Sequence, residues 1–126
     1  MVNDKTKIDD VSVKSFEIAR EIIGVAEDLQ AHDILLLDVR EICSYADAFI
    51  LLSATSDRQI NSIREAIDKN IFKGKRALLR SEGDTESGWI LMDYSDVIVH
   101  IFSPTGRNYY DLERIWRDAK NLVRIQ

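Results

Sequence analysis

Gly88 to Phe102 reads GWILMDYSDVIVHIF, and this stretch decides the fold. Two apolar runs, Trp89–Tyr94 and Val97–Phe102, flank the turn-forming Tyr94-Ser95-Asp96. That pattern predicts two strands folded back on each other. Alternation along a strand puts Trp89, Leu91 and Asp93 on one face and Ile90, Met92 and Tyr94 on the other. In the second strand Ile98, His100 and Phe102 share a face opposite Val97, Val99 and Ile101. An aromatic, a string of aliphatics and two carboxylates within fifteen residues describe a buried hairpin with one possible binding face.

Working outward, Ser103-Pro104 ends the second strand, because proline suits the first position of a helix and neither a strand interior nor a helix interior. A last helix is expected from there, with Leu112, Ile115, Trp116, Ala119 and Leu122 as its buried stripe. Upstream, Ser81–Ser87 is a polar, glycine-bearing loop and Lys75–Arg80 a strand. Ser56, with Gln59 three residues on, has capping-box spacing. It opens a helix whose stripe is Ile60, Ile63, Ile67 and Ile71. Ile34–Val39 and Ala48–Ala54 are continuous apolar runs, as in strands covered on both faces. Phe16, Ala19, Ile22, Ile23, Ala26 and Leu29 mark a first helix from Ser12, in which Gly24 suggests close packing. Residues 1–11 are expected to be a flexible lead-in to a single domain, residues 12–126. The order helix, two strands, helix, three strands, helix predicts an α/β domain with a mixed sheet of about five strands and three main helices.

The chain has 126 residues, 45% hydrophobic and 31% charged, with a formal net charge of -5 and a pI near 5.0. That balance disfavours a protein that coats phosphate backbones, which rests on clustered Lys and Arg. The lone Cys43 excludes an intrachain disulfide and suits a reducing compartment, the cytoplasm of a bacterium or an organelle matrix. No apolar run approaches the length of about 20 residues needed to span a membrane, and the polar start has no signal-peptide core.

Catalytic patterns are sparse. Cys43 has no His at a diagnostic spacing to activate it. His32, His100 and Cys43 do not form a zinc pattern. Asp93 and Asp96 can in principle hold Mg²⁺, although aspartates at a turn more often bond backbone N–H groups. No phosphate-binding glycine loop is present. Trp89, at the start of a strand behind a polar loop, is placed for a sheet rim, and Trp and Tyr are favoured interface anchors.

The blocks DILLLDVREICSYADAFILLSATSDRQ, GWILMDYSDVIVHIFSP and RNYYDLERIW resemble the ribosomal silencing factors, also called the Iojap family. The resemblance runs from about Ala31 to Ala119. It implies a fold similar to nucleotidyltransferases without their catalytic set, with no cofactor and no metal. It further implies binding to the large ribosomal subunit through its fourteenth protein, on the face that meets the small subunit, so that subunit joining is blocked and translation repressed. Little direct nucleic-acid contact and no membrane contact are expected, and a homodimer is an open possibility. The family's binding surface corresponds here to Trp89, Leu91, Asp93 and Tyr94. Asp96, His100 and Tyr110 are further family positions; Asp96 is counted with the binding set, while a structural role fits all three equally well. Two departures stand out. Ala48 replaces a usual tyrosine, and Ser95 stands where many members have glycine, which would accept a positive φ more readily. The competing reading is a metal-dependent nucleotidyltransferase-like enzyme that uses Asp93 and Asp96.

Overall fold

A computed structural model describes residues 10–74 and 76–126. The expected lead-in over residues 1–11 lies almost wholly outside the described residues, as does Lys75 of the expected third strand. Helix α1 spans Asp10–Asp28 and α2 spans Asp57–Lys73; the strands are β1 His32–Asp38, β2 Ala48–Ser53, β3 Arg80–Asp84, β4 Trp89–Asp93, β5 Val97–Phe102 and β6 Lys120–Ile125, with short helices α3 Pro104–Tyr110 and α4 Leu112–Ile115 between β5 and β6. The six strands form one sheet in the order β3-β4-β5-β2-β1-β6. β2 and β5 pair in parallel, with Ala48 opposite Val97 and Ser53 opposite Phe102; the other neighbours are antiparallel. Among the described residues no helix is long and apolar enough to cross a membrane.

The apolar runs explain the centre of this sheet. β1, β2 and β5 bury nearly every side chain, as strands covered on both faces must. One face carries Ile34, Leu36, Ile50, Leu52, Val97, Val99 and Ile101 against the stripes of α1 and α2. The other gathers Leu35, Leu37, Phe49, Leu51, Ile98 and Phe102 beneath Cys43, Ala46 and Leu112, with Trp116 packed at its margin.

Local chemistry fixes the joints. Ser56 Oγ accepts from the Gln59 N–H at 3.1 Å, while Gln59 Oε1 accepts from the Thr55 N–H at 2.9 Å, a capping box displaced by one residue. Gln59 Nε2 also donates to the carbonyls of Leu29 and Gln30, tying the start of α2 to the end of α1. Ser103 caps α3 by accepting from the Gly106 N–H, with Pro104 in the first turn. Gly106 lies so close to β4 that a Cβ there would sit 2.1 Å from the Gly88 carbonyl oxygen. This contact sets where α3, and therefore Tyr110, stands beside Trp89.

The expected sheet of about five strands with three main helices is corrected in two places. The stripe assigned to one long last helix does not lie on one helix: Asp111, whose φ of 47° leaves the helical region, separates α3 from α4, and α4 stops at Ile115 after four residues. Ile115 is 68% and Leu122 41% exposed, and the chain from Lys120 becomes a sixth strand on the free edge of β1. Its Val123 and Ile125 reach the α1–α2 core. β3 also lies later than expected, over Arg80–Asp84, with every residue exposed. Pairing to β4, not burial, holds this edge strand, so its side chains look like a loop's. The nucleotidyltransferase-like expectation is likewise corrected: the arrangement found is a single six-stranded mixed sheet in the order β3-β4-β5-β2-β1-β6.

Gly24 does not serve close packing, because an added Cβ would meet nothing within 4 Å. Gly24→Ala should therefore raise stability by about 1 kcal/mol, whereas Gly106→Ala should lower it by about 3 kcal/mol. Urea unfolding of the two variants checks both signs.

Candidate functional site

The hairpin has two unlike sides. On the side facing α1 and α2, Tyr94 is 1% exposed, and its hydroxyl donates to Asp68 Oδ1 at 3.0 Å. Burial, and then that bond to Asp68, hold the phenol well above its usual pKa. Asp96 lies on the same side. Its carboxylate takes the Arg76 guanidinium and a bond from Ser15 of α1, and its carbonyl accepts from the N–H groups of Asp47 and Ala48. Tyr94 and Asp96 thus lock the turn to the helices.

On the opposite side α3, α4 and the 40–46 segment leave the β3–β4 end of the sheet open. Trp89, Leu91 and Asp93 stand there half-buried. The Trp89 indole N–H donates to His100 Nδ1 at 3.1 Å. Its ring stacks on Phe102 with centroids 5.5 Å apart and meets Tyr110 at 4.8 Å. The Tyr110 hydroxyl donates to the Ser87 carbonyl at 3.2 Å. Together with Glu82, Gly83, Ser87 and Leu91, Trp89 and Tyr110 line a groove of about 200 Å³. Asp93 Oδ1 accepts from the Ser95 N–H at 2.7 Å, which steadies Ser95 at a φ of 79°. The expected advantage of glycine there is real in conformation, and the Asp93 bond offsets it. The Arg80 guanidinium lies 3.7 Å from Asp93 Oδ2. The exposed ring of Tyr45 stands 6.4 Å from Phe49; burial, then Cys43 and Asp93, hold its hydroxyl above the usual tyrosine range.

His100 is the residue whose role the sequence pattern left unassigned. Its side chain is buried, and its Nε2 has no hydrogen-bond partner among the described residues. Burial pushes its pKa down to about 3. The neutral ring must carry its proton on Nε2, because Nδ1 accepts from the indole. The signal was available in the hairpin register. Leu91 lies opposite His100 and Trp89 opposite Phe102, which makes Trp89 and His100 diagonal neighbours on one face. Glu82 and Ser87 were harder to find, because both lie in what reads as a polar loop.

Asp93 and Asp96 do not converge. One carboxylate serves the turn on the open side and the other an ion pair on the helix side. Among the described residues, no group of three or more His, Cys, Asp or Glu is placed to hold a metal ion. The geometry is that of a half-open groove with the Trp89 ring held at its wall.

Comparison with known proteins identifies the family. The family model described as ribosomal silencing factor during starvation matches residues 12–126. The chain belongs to this family. Ribosomal silencing factor from Bacillus subtilis is 38% identical over 96 residues, covering 76% of this chain and 81% of that protein. A crystal structure of a Chromobacterium violaceum protein superposes with a TM-score of 0.76 at 31% identity, covering 80% of this chain and 84% of the other. One from Bacillus halodurans does so with a TM-score of 0.72 at 28% identity, covering 80% and 94%. The fold shared with these two structures is that of the ribosomal silencing factors, which overturns the nucleotidyltransferase-like expectation. Membership also gives the chain its role, a ribosome-binding repressor of translation that acts without catalysis.

The depressed His100 pKa has a measurable consequence. The unfolded chain binds a proton near pH 6.5 that the folded chain refuses until about pH 3. Stability from this group is complete above pH 6.5 and falls as pH drops through that window. At pH 5 the loss should be about 2 kcal/mol relative to pH 7.5. Urea unfolding at the two pH values, with His100→Asn as the control lacking most of this dependence, checks it.

Proposed function

We propose that the open row of β4, Trp89, Leu91 and Asp93, is the surface that docks on the large ribosomal subunit. Its partner there is the subunit's fourteenth protein, on the face that meets the small subunit. The observation that carries this reading is the state of Trp89. Its ring is fixed by His100, Phe102 and Tyr110, yet it remains half-open beside a groove. An aromatic held in its bound rotamer loses little entropy on docking, which is what makes such residues energetic anchors. Tyr94 and Asp96 act indirectly, by holding the hairpin at its angle to the helices.

The mechanism is steric. A specific interface covers roughly 1,200–2,000 Å², and a domain of this size standing on it excludes the small subunit from the same surface. Asp93 in the row and Glu82 beside it would face a partner particle rich in basic protein and speed encounter. The site of action is cytoplasmic, where the subunits join. A homodimer built on the same face would compete with the subunit, so light scattering across a concentration range reads the competing equilibrium.

Sedimentation with purified large subunits tests the proposal. The chain should co-migrate at moderate salt, and Trp89→Ala should weaken co-migration at least tenfold, the loss of roughly 1.4 kcal/mol or more expected of an anchor. The circular dichroism of the variant should remain that of the folded domain. Undiminished co-migration of a folded Trp89→Ala variant would contradict the proposed face.

A further inference from the structure

Beyond Tyr110 the surface changes character. Tyr110 lines the Trp89 groove on one side and, on the other, a second and more polar groove shared with Tyr109, Arg114 and Arg117. Arg117 continues into a third hollow with Trp116 and Arg124. Arg114, Arg117 and Arg124 are exposed, and none makes an ion pair among the described residues. The carboxylate that could have neutralised Arg117, Glu113, is taken by the buried Arg107 at 2.9 Å. Asp111 and Asp118 border the second groove without pairing to either arginine. Tyr109, 80% exposed, stands beside this arginine line with its ring free on one side. The segment from Arg107 to Gln126 holds five cations against three carboxylates, in a chain whose net charge is -5.

From this we infer a second contact surface, Tyr109 with Arg114, Arg117 and Arg124, which takes the phosphate backbone of ribosomal RNA next to the protein docked at Trp89. Three arguments select that occupant. Unpaired guanidiniums on one continuous surface suit phosphate, which they bind bidentately. An exposed tyrosine between them offers a stacking face for a base. The surface is continuous with the proposed protein-docking face through Tyr110, and a ribosomal subunit presents RNA and protein side by side. The inference rests on the docking reading. It runs against the expectation of little nucleic-acid contact, and it is compatible with the acidic composition because net charge averages an acidic body with a basic end.

The test measures affinity for large subunits as a function of salt. Arg114→Gln/Arg117→Gln/Arg124→Gln should flatten the slope of log affinity against log salt by about 2, since each phosphate contact contributes roughly 0.7–0.9. The affinity lost between about 50 and 200 mM salt should then shrink roughly tenfold. The triple Arg→Lys variant should keep the wild-type slope. Ultraviolet cross-linking of bound subunits should attach peptides from residues 107–126 to ribosomal RNA. An unchanged slope in the folded Gln variant, or cross-links from this segment to ribosomal protein alone, would overturn the inference. Trp89→Ala serves as the separating control. It should lower affinity at every salt concentration and leave the slope intact, so a failure of that variant counts against the docking face and not against the RNA contact.

Discussion

One hydrogen bond organises the open face of the hairpin: the indole N–H of Trp89 on the imidazole of His100, across the β4–β5 pair. An indole on an open sheet face would ordinarily sample several rotamers. Here its polar edge has one acceptor, and its faces meet Phe102 and Tyr110. The acceptor is itself immobile, since His100 is buried with Phe49 in edge contact at 5.0 Å. The imidazole must stay neutral to accept, and its burial ensures that it does. A surface residue thereby acquires the order of a core residue while part of its area stays open.

The rest of the fold serves this arrangement from two directions. From the helix side, Tyr94 on Asp68 and Asp96 on Arg76 pin the hairpin turn to α1, α2 and the segment after α2. From the other end, the contact of Gly106 with the Gly88 carbonyl brings α3 against the first residue of β4. Tyr110 is carried in with it and closes the far side of the groove. The hairpin is fixed at both ends, so binding need not order it. A domain acting by steric exclusion depends on that stiffness, because a mobile wedge would let the second subunit push past.

Much of the fold was legible because burial and period agree. The apolar runs of β1, β2 and β5, the isoleucine stripe of α2 and the Ser56 cap each have one reading. The chain's end was not legible because Leu112, Ile115, Trp116, Ala119 and Leu122 have helical spacing, yet the helix they suggest stops at Ile115 and the chain turns into a strand at Lys120. β3 was misplaced because an exposed edge strand leaves no apolar trace. Within the site, the alternation of β4 correctly separates Trp89, Leu91 and Asp93 from Tyr94. Grouping all four with Asp96 followed family blocks, not faces, and the structure sets Tyr94 and Asp96 on the helix side. The Trp89–His100 pair needed only the hairpin register. The arginine line needed tertiary structure, because Arg124 joins Arg117 through the pairing of β6 with β1.

The account centres on Trp89 as a preformed anchor covered by the ribosome. The chain has two tryptophans, so a Trp116→Phe variant leaves Trp89 as the sole emitter. Acrylamide quenching of that variant, free and with saturating unlabelled large subunits corrected for their own signal, measures the cover directly. The account predicts partial quenching in the free chain and a several-fold fall once bound. Equal quenching in both states, with sedimentation showing the variant bound, would place the contact elsewhere.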